Sequence, residues 1–167
     1  VPLDLGSGEL EPNTQPSTIS ARNTVPEVYT RCIFPDLITA VNDLPETPRE
    51  VGAATKNVAR LYLAKAYLTY AWWLENPKDI PTYPVCDRID PDGKSTSDYF
   101  QMAYDIAMEA INNPGPYALQ ETFYNVCTAQ KERNTEMMLW ADHTANNWLA
   151  NGESSESQAN NYGGGVG

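Results

Sequence analysis

From Lys56 to about Glu75 the chain holds no Gly and no Pro, and its apolar residues recur with the period of an α-helix. Thr55 stands before this stretch as an N-cap, and Asn76-Pro77 stops it. One stripe holds Val58, Leu61, Tyr62, Leu68 and Trp72. The other side holds Ala59, Leu63, Ala66, Tyr67, Tyr70 and Leu74. A helix that is apolar on two sides is buried between neighbours. The chain must therefore supply further helices to pack on it, and Tyr62, Tyr67 and Tyr70 are expected in the core.

Two such neighbours are legible. Thr24-Val25-Pro26-Glu27 has the T-x-x-E form of a capping box, with Pro in the tolerated first turn. The helix it opens carries Val28, Tyr29, Cys32, Ile33, Leu37, Ala40, Val41 and Leu44 at helical offsets. Pro35 lies inside it, so a kink is expected there. Pro45 and Pro48 end it. Ser97 is read as the cap of a third helix, Asp98 to about Asn112. Ala103, Ala107 and Ala110 give that helix a thin face that a neighbour can approach closely. Asn113-Pro114-Gly115-Pro116 breaks it, and a short helical segment follows between Leu119 and Cys127.

The remainder is loop. Residues 4–23, 77–96 and 143–167 are rich in Gly, Pro, Ser, Asn or Asp, and Glu136 to Trp140 reads as an extended piece. No set of strands able to form a sheet is present. The class expected is all-α with long irregular loops, and two helix pairs in series suggest helical hairpins. The expected organisation is one domain: an N-terminal loop over 1–23, a helical-hairpin scaffold over 24–128, and an extended, loop-rich region over 129–167.

Charge and composition exclude several functions. Eleven Lys plus Arg against 22 Asp plus Glu give 11 − 22 = −11, and a negative face repels nucleic acid and anionic membrane surfaces alike. No apolar run is long enough to span a bilayer. No phosphate-cradling glycine motif exists, so no cofactor is expected. His143 is the only histidine and lies in a polar loop beside Asp142, where solvation rather than catalysis is expected. The three cysteines, Cys32, Cys86 and Cys127, lack zinc-site spacing. They read as small buried hydrophobes, with a disulfide to Cys86 left open.

The run Asp87 to Gly93 looks at first like a calcium loop. Setting Gly93 at the turn of an EF-hand puts Arg88 in the first ligand position and Tyr99 in the last, where a bidentate Glu belongs. It reads instead as an acidic turn whose Asp side chains bond their own backbone, and no metal is expected. Paired carboxylates for glycoside hydrolysis carry no weight in a chain with 22 acids. No enzyme is expected.

Five segments, in order, resemble the SusD/RagB family of glycan-capturing outer-membrane lipoproteins. Val1-Pro2-Leu3 resembles the end of Y-G-x-[VI]-P-L. Val28-Tyr29 with Asp36-Leu37, Ala40 and Leu44-Pro45 resembles Y-x-x-I-x-x-D-L-x-x-A-x-x-x-L-P. Gly52 with Ala54-Thr55-Lys56 and Ala59-Arg60-Leu61-Tyr62-Leu63-Ala64 resembles G-R-A-T-K-x-A-A-x-A-L-L-A. Ala53 replaces the usual Arg there. Tyr99 with Ala103, Ala107, Tyr117 and Leu119 resembles a Y-x-x-A helix ending in Y-x-L, and Asn134 to Leu139 resembles N-S-E-[IV]-I-[FL].

The resemblance implies a central piece of a longer protein, on a tetratricopeptide-like scaffold. It implies no catalysis, capture of an oligosaccharide at the surface of the bacterial outer membrane, a lipid anchor outside this sequence, and a TonB-dependent transporter as partner. The matched positions are scaffold positions and bring no binding residue with them.

Binding residues must come from the chemistry of sugars, whose flat C–H patches stack on aromatic faces while amides take the hydroxyls. Trp148 and Tyr162 fit best, set among Asn146, Asn147, Asn151, Asn160 and Asn161. Asn147, Tyr83 in its Pro-bearing connection, and Trp73 complete the candidate ligand-binding set. Trp72 and Trp73 point about 100° apart on a helix, so one belongs to the core and the other to its rim. The alternative is a tetratricopeptide-type protein-interaction module, with a groove lined by Asn, Lys and Arg.

Overall fold

The computed structural model describes residues 22–50, 52–76, 88–128, 131 and 133–139. It is all-α: the described residues form helices and turns and contain no strand. The chain divides into two compact units, Val1–Thr47 with Thr55–Pro116, and Pro48–Ala54 with Tyr117–Gly167.

The first unit opens with the expected capping box. The Glu27 amide donates to Thr24 Oγ1 at 3.3 Å, and the Thr24 amide donates back to Glu27 Oε2 at 2.9 Å. One helical run follows in three parts: α1 (Val25–Val28), a π-helical turn (Tyr29–Ile33) and α2 (Phe34–Asp43). The π-turn is the structural answer to Pro35. A proline cannot donate to the carbonyl four residues back, and its ring crowds that carbonyl. Immediately before it, the Phe34 amide donates to Tyr29 O, one residue further back than in an α-helix. The disturbance expected at Pro35 therefore takes the form of a widened turn.

α3 (Lys56–Glu75) has the bounds its sequence demands, with Thr55 Oγ1 accepting from the Val58 amide. α4 (Thr96–Asn112) starts earlier than expected, and its cap is Ser95, not Ser97. Ser95 has an acid three residues on, and the pair closes a capping box: the Ser95 amide donates to Asp98 Oδ2 at 2.7 Å, and the Asp98 amide to Ser95 Oγ at 3.2 Å. Ser97 is followed at that spacing by Phe100, which cannot reciprocate.

Consecutive helices run antiparallel. At one end of α3, Asn57 Nδ2 donates to Asn113 O at 2.7 Å, and Arg60 pairs with Glu109 at 2.7 Å. At the other end, Tyr70 meets Tyr99 with ring centroids 4.9 Å apart. α2 likewise runs antiparallel to α3, with Phe34 against Tyr67 at 4.7 Å and the Lys56 amide bonded to Pro45 O across the connection. The core is Phe34, Leu63, Tyr67, Tyr70, Ala71, Tyr99 and Ala103, with Leu37, Val41 and Ile106 packed around it. Each large apolar side chain buried there is worth about 1.5–3 kcal/mol.

Only one side of α3 is covered among the described residues. The stripe of Ala59, Leu63, Tyr67 and Tyr70 is buried, as expected. Of the first stripe, Val58 alone is buried, while Leu61, Tyr62, Leu68 and Trp72 are exposed. The expectation of burial on both sides, and of Tyr62 in the core, is corrected. Helices α2 and α4 both pack on the arc that carries Tyr67 and Tyr70, which leaves the opposite arc uncovered.

In the second unit, α5 (Phe123–Cys127) is capped by Thr122, whose side chain accepts from the Asn125 amide. The Asn134-Thr135-Glu136 segment is stapled to the run from Tyr117 to Gln120. The Ala118 amide donates to Thr135 O, Thr135 Oγ1 donates to Ala118 O, and the Gln120 amide donates to Glu136 Oε2 at 2.8 Å. Asn134 Nδ2 donates to Lys131 O and so tightens its own turn.

Candidate functional site

The most densely organised group of polar side chains stands where the C-terminal end of α3 meets the start of α4. Its centre is Asp90, 6% exposed. Asp90 Oδ1 accepts the backbone amides of Asp92 and Lys94, both at 3.0 Å, and Oδ2 accepts the hydroxyls of Tyr70 at 3.0 Å and Tyr99 at 2.9 Å. Gly93 makes the turn tight by adopting φ +71°, a conformation that favours glycine. This is the acidic turn bonding its own backbone that the sequence suggested, with the two buried hydroxyls in addition. Asp87 lies outside the described residues.

Four donors occupy the Asp90 carboxylate, matching the roughly four lone-pair sites of its two oxygens. Burial, reinforced by the adjacent Asp90 charge, drives both tyrosine hydroxyls far above the usual phenol range. The group locks two helices and a turn together. Among the described residues no three His, Cys, Asp or Glu side chains are grouped as a metal would require.

Trp73 borders this group. Its ring is half-buried and stacked on Tyr70, centroids 5.9 Å apart and planes 10° apart. The Arg88 guanidinium lies 5.0 Å from its centroid and donates to the carbonyls of Trp73 and Asn76. Those carbonyls belong to the last turn of α3 and its C-cap, where a cation is favoured. Of the adjacent pair, Trp73 is thus the core-side residue and Trp72 the rim residue, with Trp72 54% exposed. The other candidate ligand-binding residues, Tyr83, Asn147, Trp148 and Tyr162, lie outside the described residues, as do His143 and Cys86. Cys32 and Cys127 are free thiols and neither is buried, contrary to the buried-hydrophobe reading. Cys32 Sγ donates to Asp36 Oδ2 at 3.5 Å.

A surface that the sequence reading missed lies along the α3–α4 hairpin. Trp72 meets Phe100 edge to face at 5.4 Å. From these two, Leu68 and Leu61 continue along α3, and Tyr104 and Ile111 along α4, all exposed and at helical spacing. Its signal in the sequence is the first apolar stripe of α3, and nothing in a single sequence says which side a neighbour takes.

The opposite end of the hairpin is held by charge. Arg60, buried, donates to Asn57 Oδ1 at 2.8 Å and pairs with Glu109 and, at 3.6 Å, with Glu46. Its Nε is buried and has no hydrogen-bond partner among the described residues. No helix among the described residues is long and apolar enough to cross a membrane. No family model matches the chain, and a search of curated proteins returns no match.

Proposed function

We propose that the chain is the helical frame of a non-catalytic binding protein of the SusD/RagB kind. It would hold an oligosaccharide at the surface of the outer membrane for uptake by a TonB-dependent transporter. The observation that carries this reading is the use made of the residues that bear the resemblance. Thr55 caps α3, Ala59 and Leu63 are buried on its packed side, and Tyr99 and Ala103 are buried on α4. Asn134 and Glu136 order the turn facing Tyr117 to Gln120. These packing and capping roles support the reading. Tyr83, Trp148 and Tyr162 would supply the sugar contacts, with Asn147 bonding hydroxyls.

Calorimetric titration of the full-length protein with a panel of oligosaccharides tests this. Saturable binding that Trp148→Ala or Tyr162→Ala removes, without loss of helical signal, is the expected result. Binding of peptides with no response to any saccharide overturns it.

The exposed strip from Leu61 to Trp72, with Tyr104 and Ile111, favours a second reading as a protein-interaction module of the tetratricopeptide type. Loss of a captured protein partner on Leu68→Ser, with saccharide binding absent throughout, would establish that reading.

A further inference from the structure

We draw no further inference here: the strongest candidate, the exposed apolar strip of Leu61, Leu68, Trp72, Tyr104 and Ile111 along the α3–α4 hairpin, carries nothing beyond the second reading above because nothing in the structure shows what covers it.

Discussion

Tyr70 and Tyr99 stand edge to face, planes 89° apart, and donate their hydroxyls to one and the same oxygen of Asp90. The shared acceptor joins the last third of α3 to the first turn of α4 through a buried charge. Removing Asp90 orphans two buried hydroxyls and two backbone amides at once. Asp90→Ala should therefore cost about 3 kcal/mol or more, since each buried unsatisfied group costs about 1–3 kcal/mol. Tyr70→Phe and Tyr99→Phe each delete one charge-assisted bond and should cost about 1.5 kcal/mol. Urea unfolding of the single and double variants checks this. A double-mutant cycle with no coupling between the two tyrosines would show that the shared oxygen does not link them.

The same pair sets the alkaline limit of the fold. Burial raises the hydroxyl pKa of both tyrosines in the folded chain, above the value of about 10 for a free phenol. The folded state thus keeps protons that the unfolded state releases. Stability from this source is complete below about pH 10 and is lost as pH rises beyond it. Titration followed by phenolate absorbance should show Tyr70 and Tyr99 ionising only with loss of the helical signal. Ionisation of these two in a still-folded chain would contradict the arrangement.

At the acid end the sign reverses. Bonds from the Thr24 backbone and hydroxyl lower the Glu27 pKa, and bonds from the Ser95 hydroxyl and backbone lower that of Asp98. Both capping boxes therefore contribute above about pH 4, the range of a free carboxylate, and weaken as pH falls below it. Amide exchange in the first turns of α1 and α4 should quicken there before exchange in the middle of α3 does.

How much of this was legible depends on the range of the interaction. The bounds of α3 follow from Thr55 and Asn76-Pro77, and the Thr24–Glu27 box is written in four consecutive residues. Local rules also contained the start of α4, since Ser95 and not Ser97 has an acid three residues on. What local rules could not supply is the side that a neighbour takes. Two apolar stripes on α3 are equivalent in sequence, and only the packing of α2 and α4 makes one of them core and the other surface. The use of Asp90 was half legible. Its backbone bonds follow from the turn, but its tyrosine partners lie 20 and 9 residues away and are brought to it by the hairpin.

The placement of the α4 cap has a clean test. Ser95→Ala removes the acceptor for the Asp98 amide and should cost about 1 kcal/mol. Ser97→Ala alters an exposed position inside the first turn and should leave the stability unchanged within about 0.5 kcal/mol. Equal losses from the two substitutions would move the cap back to Ser97.

The adjacent tryptophans separate frame from surface most directly. Trp73 is stacked on Tyr70 and covered by Arg88, so Trp73→Ala opens a gap beside the core and should destabilise by about 2 kcal/mol. Trp72 loses one edge contact with Phe100 when truncated, so Trp72→Ala should cost about 1 kcal/mol or less. Binding assays divide the same pair differently. If the exposed strip serves a protein partner, Trp72→Ala abolishes capture while the fold stays intact. If Trp148 and Tyr162 hold a sugar, Trp72→Ala leaves saccharide affinity unchanged. Trp73→Ala should then lower the affinity no more than its destabilisation accounts for. A loss of saccharide affinity in Trp73→Ala at temperatures where the variant is fully folded would make Trp73 a direct contact, despite its position against Tyr70.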